Sequence, residues 1–274
     1  MLYVEPSLAL SLTELAIEKR KSFAPLARRI KHWLKRGRLK IVIFGPGGTG
    51  KTTLGHFLAG NLDIGNTSAG YAESMDVESF KLKGDLVCSL IVPPGQELRE
   101  YHWTGLYRDL AAGKSSGVIN VVSWGYHSFQ ALSYQDTKYF KPPMTKAEFF
   151  ESYLQNRRDR EQEIINNLTP RLMDAKGKIW MITLVTKQDL WWDDRTQVDK
   201  HYLEGPYNDC IQQIIRKRGE QNFAHEYLSV SLIINNLVTS AGEVLASTVS
   251  GYGQPIQLAN STKFVETVNS FASR

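Results

Sequence analysis

The sequence has few cysteines and no long hydrophobic run, and these absences exclude several classes of protein. Its 274 residues include only Cys88 and Cys210, and neither has a second Cys or a His at metal-ligand spacing. A disulfide-rich miniprotein is therefore excluded. No window reaches the roughly 18 consecutive apolar residues of a membrane-spanning helix. Residues 1–13 also lack the basic leader and cleavage site of a signal peptide, so we expect a cytoplasmic protein.

Charge is concentrated near the start of the chain. The formal net charge is +5, yet residues 18–40 carry ten basic side chains against Glu18 alone, which leaves the remainder near neutral. Apolar residues recur at helical spacing in this block, and they are Phe23, Leu26, Ile30, Trp33 and Leu34. We therefore predict a basic amphipathic helical extension over residues 1–38.

Two interpretations of this basic block are open. Its apolar stripe can dock on the rest of the protein and leave the charges in water. Alternatively, residues 18–40 bind a partner, for which an anionic membrane surface or an acidic protein is favoured over nucleic acid. The second interpretation adds peripheral membrane association to the cytoplasmic expectation.

From residue 39 onward, apolar β-branched runs alternate with helical patterns. Strands are predicted at 40–44, 77–83, 86–92, 117–124, 179–185 and 227–234, with a hairpin over 239–249. Helices are predicted at 52–61, 97–112, 145–175, 206–218 and 262–271. This order predicts an α/β domain over residues 39–274, with a mainly parallel sheet, helices on both faces and an insertion around 125–150.

Residues 45–52, Gly-Pro-Gly-Gly-Thr-Gly-Lys-Thr, satisfy the G-x-x-x-x-G-K-[ST] pattern between a predicted strand and a predicted helix. Glycines let the backbone wrap an anion, Lys51 reaches the terminal phosphates, and the Thr52 hydroxyl can bind Mg²⁺. The pattern therefore predicts a P-loop nucleotide site. Its candidate binding residues are Gly45, Gly47, Gly48, Thr49, Gly50, Lys51, Thr52 and Thr53.

A second polar motif, Thr186-Lys-Gln-Asp189, follows the predicted strand 179–185. Side chains at the carboxyl end of a parallel strand face the ligand crevice. A carboxylate there can accept from both the N1–H and the exocyclic amine of guanine, a donor pair that adenine lacks, and the stem of Lys187 can lie along the base. The motif therefore favours guanine over adenine.

Together with Gly95-Gln-Glu97, these motifs resemble those of the Ras-like (TRAFAC) P-loop GTPases, of which the chain looks like a divergent member. The resemblance implies that Gly95 contacts the γ-phosphate, that Gln96 orients the attacking water and that Mg²⁺ is the cofactor. It also implies switch segments, at 62–76 and 93–104, that report the GTP or GDP state to a protein partner. Thr67 is the candidate loop ligand for the metal. Ser231, or alternatively the triplet Thr239-Ser-Ala241, would support the base.

One departure from the family concerns the metal. Val92 stands where the family has the aspartate that holds the Mg²⁺ shell, and a valine has no oxygen ligand to offer. The resemblance implies a GTPase with Lys51 and Gln96 as its catalytic residues, and the departure implies slow hydrolysis. The alternatives are a GTP-binding interaction module with little or no hydrolysis and, less favoured, an ATP-binding P-loop protein.

Overall fold

A six-stranded sheet forms the centre of the protein in the computed structural model, which describes residues 40–59, 78–81, 89–92 and 103–273. Its strands are β1 (Lys40–Phe44), β2 (Glu78–Lys81), β3 (Ser89–Val92), β4 (Gly117–Val122), β5 (Ile179–Val185) and β6 (Phe223–Ser229). They lie in the order β2-β3-β1-β4-β5-β6. Only the edge pair β2–β3 is antiparallel. The predicted mainly parallel sheet is confirmed.

Helices connect these strands. They are α1 (Lys51–Leu58), α2 (Trp103–Ala111), α3 (Lys146–Met173), α4 (Arg195–Leu203), α5 (Pro206–Arg218) and α6 (Gln254–Ala272). A small antiparallel hairpin, β7 (Leu237–Val238) with β8 (Val244–Ala246), lies between β6 and α6. No helix within the described ranges is both long and apolar enough to cross a bilayer.

Two separate apolar cores show that both faces of the sheet are covered. On one face, Leu54 of α1 and Phe264 of α6 pack with Ile41 of β1. On the other, Ile164 of α3 and Ile211 of α5 join the core that contains α2. Alternate strand residues point to opposite faces, so burying both faces requires the nearly continuous apolar runs that β1, β4 and β5 display. The predicted α/β class with helices on both faces is confirmed.

The long helix α3 begins at a capping box. The backbone N–H of Glu148 donates to Thr145 Oγ1 at 3.3 Å, and the backbone N–H of Thr145 donates to Glu148 Oε2 at 2.7 Å. The hydrogen bonds that the Glu148 carboxylate accepts from the backbone N–H and the hydroxyl of Thr145 hold its pKa below the ordinary value. Two donors at the helix start, which would otherwise lack intrahelical partners, are therefore satisfied. Before this cap, the chain from 123 to 145 is irregular apart from a short 3-10 turn at Tyr134–Asp136.

Two predicted elements in the C-terminal part of the chain begin earlier than expected, and one helix was missed. β6 spans Phe223–Ser229 rather than 227–234, because this edge strand is only partly buried and can carry polar residues such as His225 and Glu226. α6 begins at Gln254 rather than Thr262, with Pro255 in its first turn, where proline is tolerated. α4 has a weak apolar pattern and was not predicted. The predicted hairpin is present, although its strands are short.

Most of the basic block, and with it the predicted extension over 1–38, lies outside the described residues. Its last member, Lys40, opens β1 and forms an ion pair with Asp109 near the end of α2. The hydrogen bond from Lys40 is the main reason that the pKa of Asp109 is lowered. The charge of Lys40 is therefore paired inside the domain.

Candidate functional site

The loop between β1 and α1 has a backbone that depends on glycine. Gly45, Gly48 and Gly50 adopt φ angles of +140°, +79° and +93°. A Cβ on Gly45 would lie 2.1 Å from the carbonyl oxygen of Val121, and a Cβ on Gly48 would lie 2.6 Å from the backbone nitrogen of Ser128. Gly45 and Gly48 thus combine a left-handed backbone with a close approach to β4 and to the segment that follows it.

Polar groups at the start of α1 surround this loop. Gly50 caps α1 without any side-chain hydrogen bond to the first helical turn, which leaves that turn's N–H groups to be satisfied by other partners. The Lys51 ammonium donates to the carbonyl of Pro46 at 2.7 Å, and the Thr49 hydroxyl donates to the same oxygen at 3.0 Å. Both side chains are buried, while Gly47, Thr52 and Thr53 are half-buried. The arrangement suits an anion held by backbone amides and one lysine.

Gly48→Ala is expected to destabilise the ligand-free protein more than Gly177→Ala does. Both positions have a left-handed φ, +79° and +74°, so both variants incur backbone strain of about 1–2 kcal/mol. Only the Cβ on Gly48 also meets backbone, at Ser128, which adds about 1–3 kcal/mol of overpacking. Urea denaturation followed by far-UV circular dichroism measures both losses. Equal losses would show that Ser128 does not pack tightly on the loop.

The second motif lies at the carboxyl end of β5 and is tied to the phosphate loop. The Thr186 hydroxyl lies 2.7 Å from the carbonyl oxygen of Thr49 and 3.0 Å from that of Val122, so it links β5 to the loop and to β4. Lys187 has a φ of 56°, and its ammonium donates to Ser128 Oγ at 3.1 Å. Burial lowers the pKa of Lys187 to about 7, against the opposing effect of the Asp189 and Glu161 carboxylates. Thr186 and Lys187 therefore lie beside the phosphate loop.

Asp189, the acidic residue of this motif, is almost completely buried, with 1% of its surface exposed. One carboxylate oxygen accepts a hydrogen bond from the Ser231 hydroxyl, and the other accepts from the backbone N–H of Asn235 at 3.1 Å. Burial raises the pKa of Asp189, although these hydrogen bonds oppose the rise. Each carboxylate oxygen can accept a second hydrogen bond, so both retain capacity for a ligand donor.

The structure distinguishes between the two candidate loops for supporting the base. Ser231 lies against Asp189. Ser240 of the alternative triplet instead lies in the β7–β8 hairpin and donates to the carbonyls of Gln130 and Ala131. Ser231 is therefore the member placed beside the predicted base-reading carboxylate. That it contacts a nucleotide stays a prediction.

Residues that the sequence analysis did not assign to the site complete its wall. Trp191 is buried and its indole N–H donates to the carbonyl of Thr186 at 2.8 Å, which identifies it as a packing residue. Gln188 Oε1 accepts from Asn260 at 2.7 Å and from the Tyr252 hydroxyl at 3.3 Å. Ser128 contacts both motifs. The contacts of Gln188 and Ser128 join segments far apart in the sequence, and no spacing rule reveals them.

Three predicted site residues, Thr67, Gly95 and Gln96, lie outside the described residues, as do segment 62–76 and most of segment 93–104. Val92 is described as the last residue of β3, the strand beside β1. Within the described ranges, no cluster of three or more His, Cys, Asp or Glu side chains is arranged to hold a metal ion. The described donor that fits Mg²⁺ is the Thr52 hydroxyl, which suits an ion that takes its other ligands from phosphates and water.

A Gly-rich loop between a buried strand and a helix, in an α/β sheet covered on both faces, defines a P-loop nucleotide-binding fold. In the order of its motifs, the chain resembles the Ras-like P-loop GTPases. The chain is similar to several solved structures. A small COPII coat GTPase, SAR1, from Encephalitozoon cuniculi in complex with GDP is 14% identical, covers 98% of this chain and 95% of its own, and gives a TM-score of 0.43.

Two further comparisons concern signal recognition particle receptors. The SRb-GTP/SRX complex from Chaetomium thermophilum is 15% identical, covers 85% of this chain and 97% of its own, and gives a TM-score of 0.43. The mammalian SRP receptor is 12% identical, covers 85% of this chain and 99% of its own, and also gives a TM-score of 0.43. No protein-family model and no curated protein matches the chain.

Proposed function

We propose that this protein binds guanine nucleotides and acts as a GTP-dependent switch with slow GTP hydrolysis. The observation that carries the proposal is the meeting of two motifs at one edge of the sheet. The phosphate loop and the Thr186–Asp189 motif are joined by the hydrogen bond from Thr186 to Thr49. Phosphates would lie on the loop amides, and the base would lie on Asp189.

The chemistry proposed for the loop is electrostatic. Lys51 and the backbone N–H groups of residues 47–52 would stabilise the phosphate charges. This electrostatic stabilisation is stronger in a buried site than in water. Mg²⁺, when bound, would neutralise charge on the β- and γ-phosphates, with Thr52 and Thr67 as its protein ligands. Gly95 would contact the γ-phosphate, and Gln96 would orient the attacking water.

Recognition of guanine would depend on Asp189. Its oxygens already accept from Ser231 and from the amide of Asn235, so the carboxylate is held in one orientation before a base arrives. The remaining lone pairs can accept from the N1–H and amine of guanine, whereas adenine offers no such pair. Lys187 is anchored on Ser128, and its stem would lie along the base.

A GTP-binding module without hydrolysis is the second candidate, and the position of Val92 favours it. Val92 ends β3 beside β1, the strand that leads into the phosphate loop. In the resembling family an aspartate at this place holds the Mg²⁺ shell, and the side chain of valine has no oxygen to replace the carboxylate. Single-turnover hydrolysis with and without Mg²⁺ separates the candidates, because a binding module leaves GTP intact in both.

Competition among nucleotides tests the proposal as a whole. The full chain is titrated with a fluorescent GTP analogue, which is then displaced by GTP, GDP or ATP. We expect GTP and GDP to compete at least about 100-fold better than ATP. A 100-fold difference in affinity corresponds to about 2.8 kcal/mol, and two hydrogen bonds to a charged group contribute about 3–6 kcal/mol. Tight ATP binding without competition from GTP would overturn the guanine assignment.

The partner proposals follow from the segments outside the described residues. Segments 62–76 and 93–104 would change with the nucleotide and present different surfaces to a protein partner. Residues 18–39 would supply a basic surface for an acidic protein or an anionic membrane, without Lys40, which is paired with Asp109. The corresponding localisation is cytoplasmic, with peripheral association at a membrane surface.

A further inference from the structure

A buried carboxylate lies behind the loop that follows β4. Glu161, on α3, has none of its surface exposed. Its Oε1 accepts from the backbone N–H of Ser123 at 2.8 Å and from that of Gly125 at 3.3 Å. Between them, the N–H of Trp124 donates to the Tyr202 hydroxyl at 3.0 Å, and that hydroxyl donates to Glu161 Oε2. Three successive backbone donors are thus satisfied by one carboxylate and one phenol.

The conformation of this loop needs such support. Trp124 has a φ of 51° and Gly125 a φ of 85°, and a bulky residue in the left-handed region persists only where its surroundings hold it there. His127 adds a further contact, with Nε2 2.8 Å from Glu161 Oε1. Burial lowers the pKa of His127 to about 4. For Glu161, burial opposes ionisation, but the hydrogen bond from His127 and those from the other donors outweigh it and leave the pKa lowered. An ionised Glu161 therefore faces a neutral His127.

The same loop ends on the nucleotide site. The backbone N–H of Ser128 donates to the carbonyl of Gly48 at 2.9 Å, and Ser128 Oγ accepts from Lys187 at 3.1 Å. Gly48 belongs to the phosphate loop, and Lys187 belongs to the base motif. The five residues from Ser123 to His127 therefore connect the carboxylate of α3 to a serine that contacts both.

We propose that Glu161 is a positioning residue for the nucleotide site: by fixing residues 123–127, it places Ser128 against Gly48 and Lys187 and so sets nucleotide affinity. The inference rests on the proposed function for its ligand. Because Ser128 contacts the phosphate loop and the base motif, which would bind the parts that GDP and GTP share, the effect of Glu161 falls equally on GDP and GTP. This role distinguishes Glu161 from a buried acid that only stabilises the fold.

Glu161→Gln is the appropriate substitution, since it keeps the shape of the side chain and removes one acceptor. The amide NH₂ must face either the backbone donors of the loop or the Tyr202 hydroxyl that donates to Glu161. Thr183→Val is the matched control. Thr183 is fully buried in β5, and its hydroxyl bonds to Tyr207 and His225 rather than to the loop. The Thr183→Val variant therefore loses buried hydrogen bonds without acting on Ser128.

Two readouts on the full chain test the proposal. Amide hydrogen exchange of the ligand-free protein follows residues 45–50 and 123–130, and fluorescent-nucleotide titration gives the Kd for GDP and GTP. We expect Glu161→Gln to accelerate exchange at Ser128 and to raise both Kd values by about tenfold or more, the effect of losing one hydrogen bond to a charged group. Thr183→Val should change the Kd values less than about twofold.

The outcomes separate this proposal from the proposed function. If Glu161→Gln lowers the melting temperature as Thr183→Val does but leaves exchange at Ser128 and both Kd values unchanged, Glu161 is only structural and the proposal is wrong. A rise in Kd for GTP alone would also contradict it. If the wild-type chain binds no guanine nucleotide, the proposed function fails, and the exchange measurement then decides by itself whether Glu161 positions Ser128.

Discussion

Asp189→Asn is expected to lower the affinity for GTP by about 1000-fold and to create a preference for xanthosine triphosphate. Two hydrogen bonds to a charged acceptor contribute about 3–6 kcal/mol, and the donors of a buried guanine would be left unpaired. In the variant, the amide NH₂ can take the position next to Ser231, whose hydroxyl can accept as well as donate. The carbonyl of xanthine would then accept from that NH₂. Competition titrations with both triphosphates measure the change.

Asp193→Asn is the matched control, because it makes the same substitution four residues away at an exposed carboxylate. It should leave the affinity for GTP unchanged. If Asp189→Asn binds GTP as tightly as the wild type does, Asp189 does not contact the base. If it binds neither GTP nor xanthosine triphosphate while its melting temperature collapses, the carboxylate instead supports the segment around Ser231 and Asn235.

Lys51→Met is expected to weaken the binding of GTP and GDP by about 100-fold, since one ammonium that contacts phosphate oxygens contributes about 1.5–3 kcal/mol per hydrogen bond. Methionine keeps an unbranched chain of similar length, so the packing of α1 is preserved. Unlike Asp189→Asn, this change should not restore binding to any other base, because the phosphates are common to all nucleotides. Isothermal titration calorimetry with GDP provides the measurement.

Lys263→Met controls for the loss of one positive charge, since Lys263 is exposed on α6. Its affinity for GDP should equal that of the wild type. Unchanged GDP binding in Lys51→Met would show that the loop between β1 and α1 does not hold the phosphates. The two variants together separate recognition of the base from recognition of the phosphates.

The parts of the fold that the sequence predicts well are those buried on both faces. β5 was predicted as Ile179–Val185 and is found there, because a central parallel strand is buried on both faces and is therefore apolar at nearly every position. The phosphate loop was equally clear, since its glycines, lysine and threonine occur at fixed spacing. The edge strand β6 was misplaced by four residues at its start, because only Phe223 and Leu228 are buried along it and the partly exposed residues between them leave a weaker pattern.

The candidate site was predicted only in part, for a different reason. Thr186, Lys187 and Asp189 could be found because a motif connects them, whereas Ser128, Asn235 and Glu161 act through contacts between distant segments. Glu161 lies 38 residues after Ser123, in a polar stretch of α3 that is typical of an exposed helix surface. Its sequence neighbours give no sign of its complete burial. Only the packing of α3 against the end of β4 identifies it.

A crystal structure of the full chain with GDP and Mg²⁺ tests the central claim most directly. We expect the N1–H and amine of guanine to lie at about 3 Å from the carboxylate of Asp189, a normal hydrogen-bond length, with the phosphates on the amides of residues 47–52. Electron density for the base away from Asp189, or for the phosphates outside this loop, would contradict it.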